Sequence, residues 1–148
     1  VEFRWSRAPA EVDGGFLLSL LPGRYALTAA RESPFGRFGL WFELGEVAVQ
    51  DGATTRLDLR IPAGSLTVKV TNKASGRPRA ETAVQVEISR DGRPSGRAAG
   101  MTDVDGEHAL TLCPVGAARI WVGERGSRDP DAAVEVVAGK AASATVSL

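Results

Sequence analysis

The sequence predicts an all-β protein of two tandem seven-stranded Greek-key β-sandwich modules, the first of them lacking its first two strands. Three observations carry this expectation. Apolar residues recur with a period of two, short apolar runs are punctuated by Gly, Pro and Asp, and one half of the chain repeats the other. No segment of ten or more residues holds a helical period.

The second half is the clearer. Leu66, Val68 and Val70 alternate with Thr67 and Lys69, and Val84, Val86 and Ile88 alternate with Gln85 and Glu87. Such alternation buries one face of a strand and leaves the other wet. Turn chemistry follows in "RDGRPSG" at 90–96, "DVDG" at 103–106 and "PVG" at 114–116. Seven strands are expected, near 65–71, 83–89, 96–102, 107–112, 117–122, 132–137 and 141–148. Short strands separated by such turns indicate a sandwich.

The first half aligns with the second in two blocks. "EVDGGFLLSLLPGRYALTA" at 11–29 lies against "DVDGEHALTLCPVGAARIWV" at 103–122, and "VAVQDGATTRLDLRI" at 47–61 against "VEVVAGKAASATVSL" at 134–148. Gly52 matches Gly139, and Leu57, Leu59 and Ile61 match Ala144, Val146 and Leu148. The offset falls from 92 to 87, so the first copy is about five residues longer in its middle, at "ESPFGRFGLWFELG" (32–45). On this alignment the first copy begins at its third strand, near Phe3 to Ala8. Its two missing strands would come from preceding sequence, another chain or the face of the second module, because an uncovered remnant exposes core and strand edges. A chain that starts at Val1 is expected to be a processed form or a fragment. The modules divide as 1–62 and 63–148, and Pro62-Ala63-Gly64 is too short a link for free tumbling.

The order "GSLTVKVTNKASGRPRAETAVQVEIS", "TDVDGEHALTL", "PVG", "ARIWV" and "VEVVAGKAASATVSL" resembles the carboxypeptidase regulatory-like domain, a transthyretin-like (prealbumin-like), Ig-like sandwich often found in tandem. The resemblance covers 64–148 in full and 3–62 in part. It implies a structural, adhesive or docking role in a larger extracytoplasmic bacterial protein, and says little about ligands. The chain departs from the pattern at His108, where an aromatic is usual and where Phe16 stands in the first copy, and at Val115 between Pro114 and Gly116.

Composition narrows the partners. Hydrophobic residues make up 43% and charged residues 24%, as in an ordinary globular protein. The 18 basic and 18 acidic residues balance overall, and each half is nearly neutral, so nucleic acid and anionic membrane are not expected partners. No apolar run approaches the ~20 residues of a membrane-spanning helix, so membrane insertion is not expected. One cysteine cannot form an intrachain disulfide or a thiolate zinc site.

Each candidate site has a plain structural role beside its chemical one. Asp103 and Asp105 resemble the start of a calcium loop, but the twelfth residue from Asp103 is Val115 where an EF-hand needs a bidentate Glu. Turn stabilisation by Asp, with Gly106 accepting positive φ, is the expected reading. His108 is in phase with Leu110 and Leu112 and is expected to face inward. Cys113, five residues on, is expected on the opposite face as a small hydrophobe, which argues against a nucleophilic pair. Enzymes on related sandwiches need residues this chain lacks: it has one Tyr and one His, against two of each for an iron-binding dioxygenase. No catalytic residue, no cofactor and no enzymatic activity are expected.

Aromatics are concentrated in the first half. Phe16 and Tyr25 are in inward phase, and Trp121 alternates outward beside Arg119. Phe35, Phe38 and Trp41 in the 32–45 insertion, with Trp121 and Arg119, form the candidate ligand or partner surface, because exposed aromatics mark interfaces and stack on sugars. The competing role is to fill the module interface or the core left open by the missing strands. The expected function is therefore a non-catalytic structural, adhesion or protein-docking module of a larger exported protein. Its partners would be other domains of that protein or another protein. The alternatives are carbohydrate binding through Trp41 and Trp121, and positioning of a catalytic domain.

Overall fold

The structure is a computed structural model that describes residues 15–32, 39–123 and 129–148. Nine strands run in chain order: β1 (Gly23–Glu32), β2 (Gly39–Val49), β3 (Ala63–Thr71), β4 (Ala83–Arg90), β5 (Arg93–Met101), β6 (Glu107–Pro114), β7 (Gly116–Val122), β8 (Ala132–Val136) and β9 (Ala141–Ser147). There is no helix among the described residues, so none that could cross a membrane. The protein is all-β with two sheets, one of order β1-β2-β5-β4-β7-β8 and the other β6-β3-β9.

All seven strands expected between 63 and 148 are present, with ends shifted by a few residues. Their alternation makes the core. Leu66, Val68 and Val70 of β3 face Val84, Val86 and Ile88 of β4 and Ala118, Ile120 and Val122 of β7, all at 1% exposure or less. Asp91 and Gly92, both at positive φ, close the β4–β5 hairpin as a two-residue turn whose twist matches the strands. The turn is therefore shorter than the 90–96 segment expected, and β5 begins at Arg93. β3 is central: it pairs antiparallel with β6 and parallel with β9. Gly64 at its start packs so closely that a Cβ there would lie 2.5 Å from the Val137 carbonyl oxygen.

The first half of the chain differs from expectation. The segments 15–20 and 54–61, aligned with the strands expected at 107–112 and 141–148, form no strand, and the strand expected near 3–8 lies outside the described residues. What forms is the β1–β2 hairpin, and it keeps the register of the aligned β7–β8 hairpin. Gly23↔Val49, Tyr25↔Val47 and Leu27↔Gly45 correspond to Gly116↔Val136, Ala118↔Val134 and Ile120↔Ala132. The physical reason lies in the pairing. β7 and β8 pair with each other, whereas β6 and β9 each pair with β3 and not with one another. Residues 16–20 and 54–61 align with β6 and β9, and no described strand lies between them. Without it, their backbone groups have no ladder to join.

The hairpin is also longer than its counterpart. The 32–45 insertion extends β2 to the β5 edge, where Leu40 pairs with Gly96. Leu40 and Phe42 are 6% and 4% exposed and join the core of the seven-stranded sandwich. A bulge between Leu27 and Thr28, with Gly45 at φ 110°, divides the hairpin in two. Beyond the bulge Ala29, Leu40 and Phe42 face the sandwich core; before it Leu27, Val47 and Val49 face an open groove.

Candidate functional site

The groove is an open concavity of about 980 Å³. Its floor is Leu27, Val47 and Val49 of the hairpin; residues 15–20 form one wall and residues 53–60 the other. Phe16, expected in the core, is 44% exposed here, with Leu17 at 82% and Leu57 at 39%. The correction has a simple cause: the strand that would lie over Phe16 and Leu57 is absent from the described structure. Tyr25, also expected in the core, is only half-buried, and its hydroxyl donates to the Leu21 carbonyl at 2.7 Å.

Aromatic residues of the insertion separate into two sets. Phe35 and Phe38 lie outside the described residues. Trp41 lies on the outer face of β2, half-buried, and its Nε1 donates to the Pro94 carbonyl at 3.2 Å. Its neighbours Leu40 and Phe42 point the other way, into the core. The middle of the insertion thus joins the hairpin to β5.

Trp121 is opposite Gln85 on the outer face of the six-stranded sheet, as alternation places it, but its exposure is 4%, against the open position expected. β7 is an inner strand, and the chain entering β8 folds against this end of it. Asp131 accepts from the Val122 amide through Oδ2 at 2.7 Å and donates its own amide to the Ile120 carbonyl at 2.8 Å. Arg119, two residues before, is exposed opposite Glu87, and Glu87 ion-pairs with Arg97 of β5. The outer face at this level is a row of charge across three strands.

Asp103 acts within its turn. Its Oδ1 accepts the amides of Asp105 at 3.0 Å and Glu107 at 2.9 Å, and its own amide donates to the Glu107 carbonyl at 2.8 Å. Gly106, at φ 73°, has no room for a side chain: a Cβ would lie 2.6 Å from the Val70 carbonyl oxygen. Asp105 is exposed. Among the described residues no three His, Cys, Asp or Glu side chains converge on a point that could hold a metal ion.

His108 faces inward from β6, opposite Val68 and against Gly100 of β5, where a Cβ would overlap the imidazole. Burial lowers its pKa from 6.5, opposed by a hydrogen bond with the Met101 backbone and by the charge of Asp103. Its Nε2 is buried with no hydrogen-bond partner among the described residues. Cys113 does not take the opposite face. Between Gly64 and Leu66 of β3 the partner strand advances from Cys113 to Leu110, and the extra residue in β6 turns Cys113 into the core at 0% exposure. Burial raises its thiol pKa from 9.0 to about 11, which keeps it protonated and unreactive near neutrality.

The fold and these surfaces define the class: an all-β protein of two facing sheets, with an open groove at one end of the larger. No protein-family model matches the chain, and no curated protein matches it. Among solved structures it is similar to a streptococcal ancillary pilin, at 10% identity and a TM-score of 0.41. The match covers 74% of this chain and 41% of the pilin.

Proposed function

We propose that the chain is a non-catalytic structural, adhesion or docking unit of a larger exported protein, built from two carboxypeptidase regulatory-like copies divided near residue 62. The observation that carries this reading is the shared hairpin register, Gly23↔Val49 with Gly116↔Val136, at positions the sequence repeat aligns. The same element supports a mechanical role. The lengthened β1–β2 hairpin continues the six-stranded sheet and inserts Leu40 and Phe42 into the neighbouring core, a strand-addition joint in place of a flexible linker. Main-chain pairing together with a buried apolar plug resists bending, as a structural unit requires.

A complementation experiment tests the reading. Deleting this segment from its parent protein should abolish that protein's attachment or assembly at the cell surface. Restoring it with both His108→Phe and Cys113→Ala should bring the phenotype back. A folded double variant that fails to restore it would show a chemical role for those side chains and overturn the non-catalytic reading. Antibodies to the exposed Asp91-Gly92 turn should label intact cells; labelling only after lysis would overturn export.

A further inference from the structure

The seven-stranded sandwich begins with β3 and ends with β9, and these two strands lie side by side and parallel. Their pairing runs from Ser65↔Ala141 to Thr71↔Ser147 without a register shift, although the β3–β6 pairing on the other side of β3 has one. The ladder is fastened beyond both of its ends. At its start the Gly139 amide donates to the Ala63 carbonyl at 2.8 Å and the Ser65 amide to the Lys140 carbonyl at 3.1 Å. At its finish the Leu148 amide donates to the Thr71 carbonyl at 3.0 Å and the Lys73 amide to the Leu148 carbonyl at 2.6 Å. The hydroxyls of Thr71 and Ser147 share a further hydrogen bond of 3.0 Å, and Leu66, Val68, Val70 and Val146 fix the inner side in the core.

We propose that this ladder is a tension-bearing clamp: a load that draws the chain before Ala63 one way and Leu148 the other runs through β3 and β9 in shear. Because the strands are parallel, the chain enters β3 at one end of the ladder and leaves β9 at the opposite end. Tension therefore slides one strand along the other and loads every hydrogen bond of the ladder together, where peeling would load them one after another. Sliding also drags Leu66, Val68 and Val70, all at 0% exposure, out of their close packing. The β1–β2 hairpin lies outside this path, since β2 pairs with β1 and β5 and with neither strand of the clamp. The inference rests on the proposed structural role for the source of the load, which is the larger protein.

Single-molecule pulling of the full chain in two directions tests it. One handle follows Leu148; the other is attached through Ile61→Cys, ahead of β3, or through Ser75→Cys, just past its end, both exposed positions. Cys113 is buried and stays unlabelled. The first pair of handles shears the ladder and the second peels it from the Thr71↔Ser147 end, so the first should need several times the force of the second and give way in a single rupture. The hydrogen bonds at the two ends also set the alternation along β9: its even-numbered residues bond to β3 and its odd-numbered residues turn their amides away. Ala144→Pro therefore removes a bond of the clamp and should lower the shear force to about half, whereas Thr145→Pro keeps the ladder whole and should change it by less than about a tenth. Equal forces in the two directions, or equal losses from the two prolines, would overturn the proposal. If Ala144→Pro does not fold, the two directions on the unsubstituted ladder decide alone. Failure here leaves the complementation and cell-surface labelling results untouched, and a chain that proved not to be exported would still show the difference between directions.

Discussion

Residues 107–147 and 16–61 carry the same succession of apolar runs and turns, yet the first stretch forms four strands and the second forms two. The runs that fail are not poorer in apolar residues: Leu57, Leu59 and Ile61 are bulkier than the aligned Ala144, Val146 and Leu148 taken together. What differs is the partner. β6 and β9 exist because β3 lies between them, and β1 and β2 exist because they have each other. A strand is a property of a pair of segments, and alternation within one segment is a necessary half of it.

The sharpest way to break this comparison is to place one charge on each side of it. Leu66→Asp buries a carboxylate at a position of 0% exposure between Leu110 and Ala142, and should cost more than about 4 kcal/mol, unfolding most of the protein. Leu57→Asp, on the wall of the groove, should cost less than about 0.5 kcal/mol. Urea midpoints measure both. Equal losses would mean that the groove is filled and that the two regions are alike.

Phe42→Ala follows in size. The ring is 4% exposed and sits in the core of the seven-stranded sandwich, so its loss should cost about 3 kcal/mol. Because the ring belongs to the hairpin, the loss should also uncouple the hairpin from the sandwich. Hydrogen exchange in β1 and β2 should accelerate well beyond that in β3 and β4. Uniform acceleration would show that the hairpin and the sandwich unfold as one unit.

The sandwich was legible because every level agreed: period-two alternation, turn residues and a central strand with partners on both sides all specified β3 to β9. His108 and Asp103 were legible for the same reason, each fixed by local phase or by a local turn. Cys113 and Trp121 were not. A bulge at one residue of β6 reversed the phase of Cys113, and alternation cannot see a bulge. Alternation placed Trp121 on the correct face, but its 4% exposure there is set by tertiary packing, which alternation does not report. The groove was half legible, since the repeat alignment marked residues 15–20 and 54–60 as a related pair while only the fold showed them as the two walls of an open groove.

Asp103→Ala examines a smaller effect. Removing an acceptor of two backbone amides at an exposed turn should cost about 1 to 2 kcal/mol, read as a fall in Tm. Asp103→Asn keeps an oxygen in the same place and should recover most of the loss. If Asn behaves like Ala, the negative charge matters rather than the hydrogen bonds, and the turn should then be titrated with calcium.

The smallest effect concerns the aligned pair Phe16 and His108, one left at the groove surface and the other pressed against Gly100. Burial lowers the folded-state pKa of His108 below its ordinary 6.5, so between those two values the unfolded chain binds the extra proton and the folded chain does not. Stability from this residue is therefore fully present above about pH 7 and is lost as the pH falls from there through the folded pKa. Asp103, whose charge pulls the other way, keeps the loss modest. In His108→Gln the urea midpoint should fall less than in the unmodified chain between about pH 7.5 and about pH 5, while carboxylates contribute equally to both. Phe16→His supplies the control: at an exposed position the same imidazole should add no such slope, unless a strand already covers it.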